Sequence, residues 1–359
     1  MTRKMMTRSR ISEKPEHSMV NDEIAKLIAA SADLALDDTD RRIKSIMKDV
    51  KLAYFSTPND RLIDIPIKRM KRAIAAHDPD TFAVAIHGET GAGKSTLFEQ
   101  RLKDEPSFRP VPDGYGNDLY PVLYIKAPSK ATMIDLGEEL LDAMGYPTKK
   151  RKHESDLIRD VRNALRRRGT RVVLIDEFQH VLDAPKVKGP SHVADSIKNL
   201  LQSPKWPIFV VLMGLPEIKE VVLRDPKDQL LRRVDDFALQ TLSLKTDSKF
   251  IANVIKELVV NRAGLRMPSA VVPDFIERLM YGAHFRYGMV MKIIYHAIED
   301  ALENDLGEVT MLCWEEGYRR LVNGDADPET NVFASDNWRS ILRPVNRKGE
   351  FGPPSVRAA

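Results

Sequence analysis

Residues 88–95 read Gly88-Glu89-Thr90-Gly91-Ala92-Gly93-Lys94-Ser95, which fits the phosphate-binding pattern G-x-x-x-x-G-K-[ST]. The pattern has mechanical meaning only between a buried strand and a helix, and both flanks are present. Thr81–His87 (TFAVAIH) is a short apolar run before it, and Lys94–Lys103 after it reads as a helix. Glycines let the main chain wrap closely around phosphate oxygens, so that successive N–H groups and the helix N-terminus face the negative charge. The residues from Gly88 to Thr96 are therefore candidate contacts for ATP. Lys94 is expected to reach the β and γ oxygens, and the Ser95 hydroxyl to hold Mg²⁺.

Downstream, Val172-Val173-Leu174-Ile175-Asp176-Glu177 is an apolar strand ending in two acids. Ligands of open α/β sheets bind at that carboxyl edge. Asp176 is expected to hold Mg²⁺ through water, and Glu177 to orient or deprotonate the attacking water. The plain alternative is an acidic turn after a core strand. A second acid separates water activation from a kinase layout, in which the nucleophile arrives with the substrate, and so favours ATP hydrolysis. Gln229-Leu230-Leu231-Arg232-Arg233-Val234 precedes the last strand, where subunits of ring ATPases present an arginine to the neighbour's γ-phosphate. Arg233 is the first choice for that finger and Arg232 the second, against a solvated basic turn. Gly282-Ala283-His284-Phe285-Arg286 opens a late helix from which Arg286 is placed to fold over the phosphates.

Pro121–Lys126 (PVLYIK), Arg171–Ile175, Pro207–Met213 (PIFVVLM) and Phe237–Leu244 read as four further strands, alternating with helices near Ala131–Met144, Ser155–Arg168 and Val193–Gln202. Five strands alternating with helices predict an α/β domain whose mostly parallel sheet is covered on both faces. After Asp247 the strands cease: Ser248–Arg262, Val272–Tyr281, Gly288–Glu303 and Thr310–Val322 read as four helices of a C-terminal lid. Residues 1–20 lack any period and read as a flexible arm, with helices over Asp22–Val50 and Leu62–Ala76. Four units follow: an arm with helices (1–50), the nucleotide-binding domain (51–246), the lid (247–323), and an extended tail rich in Pro, Asn and Asp (324–359).

Composition sets outer bounds. With 43% hydrophobic and 30% charged residues in 359, wholesale disorder is excluded. The longest apolar stretch, Pro207 to Leu215, is far short of the roughly 20 residues that span a bilayer. No apolar segment follows the basic N-terminus, so no secretory signal is read and the expected address is the cytoplasm. One cysteine, Cys313, leaves no internal disulfide and no cysteine-based zinc site. The net charge is only +4, yet from Lys149 to Arg171 ten basic residues and three acidic ones give a local +7, beside the nucleotide-binding motif.

The run GETGAGKS, then VLYIKAPS, LIDEFQHVL, VVLMGLPEI and QLLRRV, followed by a helical lid, resembles the TniB/TnsC transposition regulators. These are AAA+ P-loop ATPases, related more distantly to IstB and MuB, and the resemblance covers about Leu52 to Val322. It implies an AAA+ fold and an ATPase that assembles on double-stranded DNA with little sequence preference, as a ring or helical filament. It also implies that the chain selects the target and recruits or activates a DDE-type transposase (TniA/TnsB-like), with a TniQ-like protein as a further partner. One departure stands out. At the end of the fourth strand the family usually places a Thr or Asn that senses the γ-phosphate, where this chain has Leu215; His180 or Gln179 are the polar candidates to replace it. In the resembling proteins the segments after the second strand face the DNA-filled pore, which nominates Lys130, Lys149, Lys150, Arg151 and Lys152 as DNA contacts through phosphates. Arg166–Arg168 close a helix and can simply complement its dipole. No aromatic residues interleave with these bases, which disfavours stacking on single strands. Two other functions are compatible with such a chain: a replication-initiation or helicase-loading ATPase, and a P-loop small-molecule kinase.

Overall fold

The computed structural model describes residues 16–147, 153–182, 190–201, 206–219, 233–267, 274–324 and 326–343, with isolated positions beyond. Helices α1 (Glu16–Ala35), α2 (Asp38–Leu52) and α3 (Pro58–Ala75) lead into strand β1 (Ala83–His87) and α4 (Lys94–Asp104). A small antiparallel hairpin, β2 (Val111–Pro112) with β3 (Asp118–Leu119), precedes β4 (Val122–Lys126). Helices α5 (Met133–Ala143) and α6 (Glu154–Arg168) lead to β5 (Val172–Asp176); α7 (Gln179–Leu182) and α8 (Pro190–Leu201) lead to β6 (Phe209–Gly214); β7 (Val234–Ala238) follows. The five long strands form one parallel sheet in the order β4-β5-β6-β1-β7.

Every residue of β1, β5 and β6 is buried. Successive side chains point to opposite faces, so a strand covered on both sides is apolar up to its carboxyl end, where His87 and Asp176 stand in β1 and β5. Ile63, Ile67 and Met70 of α3 pack with Leu97 and Phe98 of α4 on Val84, Ile86, Leu174 and Val211. Leu136, Leu140, Val161, Leu165 and Ile197, from α5, α6 and α8, pack on Ala85, Val173, Ile175, Val210 and Leu212 from the other side.

The last strand lies three residues earlier than the pattern in Phe237–Leu244 suggests. Among the described residues β7 is an edge strand paired only to β1, with Asp235 and Asp236 inside it. It is held by polar contacts: Arg69 bonds Asp235, and His87 Nε2 lies 3.0 Å from Asp236. Leu239 N–H still donates to His87 O at 2.8 Å, and beyond it the chain leaves the ladder: Leu242 N–H donates to Phe285 O at 2.7 Å.

The lid is built from α9 (Leu244–Ile255), which runs into a π-helical turn (Lys256–Arg262), α10 (Phe275–Gly282), α11 (Tyr287–Glu303) and α12 (Met311–Leu321). Its core reaches beyond these helices. Met47 and Val50 of α2 belong to it, and so do Val332, Phe333, Trp338 and Ile341. The segment expected to be an extended tail is thus packed through residue 341. Arg278 donates to the carbonyls of Val332, Phe333 and Ser335, and Trp338 Nε1 donates to Asp274 at 2.9 Å. A short antiparallel pair, β8 (Ile341–Leu342) with β9 (Ser355–Val356), follows. Helix α1 begins at Glu16, inside the stretch expected to be a flexible arm. Among the described residues no helix is long and apolar enough to cross a membrane.

Candidate nucleotide-binding site

The loop between β1 and α4 turns back on itself at Gly91 and Gly93, whose φ values of 79° and 89° lie in the left-handed region that strains any residue with a side chain. Gly91 is also crowded from the lid: a Cβ there would lie 2.9 Å from Met289 Cγ. Gly288, in the first turn of α11, donates its N–H to Gly91 O at 2.9 Å, and a Cβ on Gly288 would stand 2.7 Å from that oxygen. Loop and lid therefore meet main chain against main chain.

Lys94 is 9% exposed. Its Nζ donates to Gly88 O at 2.8 Å and Glu89 O at 3.2 Å. Burial pulls its pKa below the ordinary lysine value, opposed by the carboxylates of Glu177, Asp176 and Glu89. Ser95 Oγ donates to Asp176 Oδ2, and Tyr124 OH donates to the same oxygen at 2.9 Å. Burial, together with Asp176, pushes the Tyr124 hydroxyl well above its ordinary value, so it stays a proton donor at neutral pH. The second oxygen of Asp176 accepts the Glu177 N–H at 2.8 Å. A hydroxyl and a carboxylate converging at the carboxyl edge are hard oxygen donors, the kind that suits Mg²⁺ shared with phosphates.

Glu177 leaves β5 with φ 54°, an uncommon conformation for a residue with a side chain. Its carboxylate accepts from Gln179 Nε2. With Lys94 and Ser95 it lines a cavity of about 380 Å³ that continues between the lid helix and the segment joining α2 to α3. Tyr54 and Phe55 from that segment, with Tyr287, Met291 and Tyr295 of α11, form an apolar end suited to a flat base. Sequence reasoning missed these five. The one local signal is the Tyr54-Phe55 pair just ahead of the Thr57–Asp60 capping box that starts α3.

Arg286 caps the rim rather than reaching across it. Its side chain, 12% exposed, donates to Thr90 O at 3.2 Å and lies 3.2 Å from Glu89 Oε2. Arg233 is exposed at the foot of β7. Val234 is in register with Ala83, the first residue of β1, and each residue of the strand advances about 3.3 Å toward the loop, so Arg233 stands at the opposite edge from its own phosphate loop. Arg232 lies outside the described residues, as do Lys149, Lys150, Arg151 and Lys152. Lys130 is exposed in the turn after β4, on the same edge as the loop. At the end of α6, Arg167 lies over the Tyr146 ring at 5.4 Å and Arg168 over Tyr120 at 4.5 Å. Aromatic residues do accompany this basic helix end. They come from the segments before β4 and after α5, and so are invisible in the basic run itself.

Solved structures with this arrangement share little sequence with it. Cdc6p from Pyrobaculum aerophilum superposes with a TM-score of 0.53 at 11% identity, over 79% of this chain and 70% of that one. The ORC2 protein of Aeropyrum pernix, in ADPNP–ADP complexes, gives 0.53 at 13%, over 78% and 72%. The ORC1 protein of the same organism, in complex with DNA, gives 0.51 at 15%, over 72% of this chain and 65%, just under two thirds, of that one. At such identities the likeness is one of fold, and the fold is AAA+. No curated protein matches the chain. The family model described as Bacterial TniB protein matches residues 61–244.

Proposed function

The chain belongs to the TniB family, and from that premise we propose that it is an ATP-dependent, DNA-binding oligomeric ATPase that selects target DNA and recruits or activates a DDE-type transposase. Convergence of Lys94, Ser95 and Glu177 on one cavity with an apolar end, with Asp176 bonded to Ser95, carries this reading. In it, the loop N–H groups and Lys94 hold the β and γ phosphates, and the base lies between Tyr54, Phe55 and α11. Mg²⁺ held by Ser95 and Asp176 would neutralise charge on the phosphate oxygens. Glu177 draws the proton from the attacking water, and Arg286 carries the state of the loop into the lid. The partners proposed with it are those that the family resemblance implies: double-stranded DNA without sequence preference, a second copy of the chain, the transposase, and a TniQ-like protein.

Arg233 acts in trans in this scheme, since its own strand holds it at the far edge of the sheet. Arg233→Ala should lower ATPase activity while leaving ATP binding to the monomer unchanged. Mixing that variant with Lys94→Ala protein should restore part of the activity, because each supplies what the other lacks. Mixtures that assemble yet never recover would return Arg233 to the solvent.

DNA contact is assigned to Lys130 and Lys149–Lys152, reading phosphates rather than bases. One subunit gains little against physiological salt, whereas an assembled oligomer multiplies the contacts along one duplex. Binding should therefore be weak without nucleotide and strong with a non-hydrolysable ATP analogue, on unrelated sequences alike. Replacing Lys149, Lys150, Arg151 and Lys152 by Ala should weaken binding uniformly and flatten the slope of log K against log[salt] by about 0.9 per lost phosphate contact. Fluorescence anisotropy on two unrelated duplexes over a salt series tests this. Equal affinity with and without nucleotide, or an unchanged slope in the quadruple variant, would sink it.

A further inference from the structure

Leu215 leaves the tip of β6 without a polar side chain, and the two hydrogen-bonding groups of Gln179 converge there. Gln179 is 6% exposed. Its Oε1 accepts the Leu215 N–H at 3.2 Å, and its Nε2 donates to Glu177 Oε2. The orientation of the amide follows from chemistry, since a main-chain N–H needs an acceptor and a carboxylate needs a donor. Gly214 makes room for it: a Cβ at that position would stand 2.4 Å from Gln179 Oε1. One residue along, Phe178 N–H donates to Met213 O at 2.9 Å, so the turn after β5 is pinned to β6 by main chain as well.

We propose that Gln179 is a positioning residue that ties the Glu177 carboxylate to the tip of the central strand β6, in place of a polar side chain at Leu215. This rests on Glu177 activating water in ATP hydrolysis. With φ at 54°, Glu177 starts from a backbone that a residue with a side chain holds only where its surroundings over-determine it. The amide supplies that constraint on the side chain itself. One N–H of the amide is engaged with Glu177 and its oxygen with Leu215, so the loss of Gln179 should fall on turnover and not on nucleotide binding.

The test is steady-state ATPase kinetics and fluorescent-ATP binding on the full chain and its Gln179→Leu, Gln179→Glu, Gly214→Ala and Gln179→Leu/Gly214→Ala variants, with Glu177→Gln alongside. Gln179→Leu should lower kcat by about 10²-fold, the cost of a misplaced catalytic group, with KM and ATP affinity within about twofold. Gln179→Glu has the same shape and keeps an acceptor for Leu215, but sets a second carboxylate against Glu177; it should lose kcat equally, which a packing role would not produce. Gly214→Ala should show the same split by displacing the amide, and the double variant should fall no lower than the worse single one. Full turnover in Gln179→Glu, or a kcat loss matched by an equal loss of ATP affinity, would overturn the assignment while leaving the ATPase reading intact. If Glu177→Gln itself turns over at the unchanged rate, that reading falls, and the role of Gln179 with it.

Discussion

In the Glu177→Gln protein, ATP should bind as it does to the unchanged chain while turnover falls by about 10²- to 10⁴-fold, the usual contribution of a positioned general base. The amide keeps the size of the side chain, and the backbone at this residue is held independently by the Glu177 N–H bond to Asp176. Lys94→Ala should do the opposite and abolish nucleotide binding. Lys94 is buried among the loop carbonyls, with Glu177, Asp176 and Glu89 as its charged neighbours. Its loss removes the cation offered to the phosphates and leaves acidic groups around their place. Fluorescent-ATP titration and phosphate release measured on both variants separate the two effects. A wild-type rate in Glu177→Gln would remove Glu177 from the chemistry; wild-type affinity in Lys94→Ala would remove Lys94 from the phosphates.

Trp338→Ala should destabilise the protein by about 3–5 kcal/mol, the range for emptying a large aromatic site in a core. Trp338 is 1% exposed, packs edge-on to Tyr281 at 5.3 Å between centroids, and lies under the guanidinium of Arg339 at 4.2 Å. Its Nε1–H is also bonded to Asp274, so removal leaves a carboxylate short of a donor at the start of α10. On a loose tail the same substitution would stay within about 0.5 kcal/mol. Urea unfolding monitored by circular dichroism decides between these values.

The parts of the fold that could be read from the chain are those where burial writes itself into local composition. β1, β5 and β6 are covered on both faces, and each appears as an apolar run, broken only at the carboxyl ends of β1 and β5 by His87 and Asp176. β7 has one neighbour and two aspartates, so its place is fixed by Arg69, His87 and register to β1, none of which is visible in Val234–Ala238 itself. Val332, Phe333 and Trp338 are isolated apolar residues in a polar, proline-bearing stretch. Only the lid surface that receives them shows that they are core. The candidate site divides the same way. Gly88–Ser95 and Asp176–Glu177 sit at strand ends and are legible as motifs. The apolar end of the cavity joins Tyr54 and Phe55 to Tyr287 and Tyr295, more than 200 positions apart, and no spacing encodes such a meeting. Gln179 was legible as a polar neighbour of Asp176, but not as the bridge between Glu177 and Leu215.

The joint between Gly288 and Gly91 carries an evolutionary consequence. Because the contact runs from one backbone to another, no exchange of side chains elsewhere on the lid can strengthen or weaken it directly. Apart from Arg286 and Met289, whose side chains also touch the loop, the lid surface is free to drift toward new partners while this joint stays constant. The exceptions are the two glycines. A methyl group on either meets an atom within 3 Å, and Gly91 must also keep its left-handed turn. Divergence can proceed around this pair, but a single step at either position breaks the clasp.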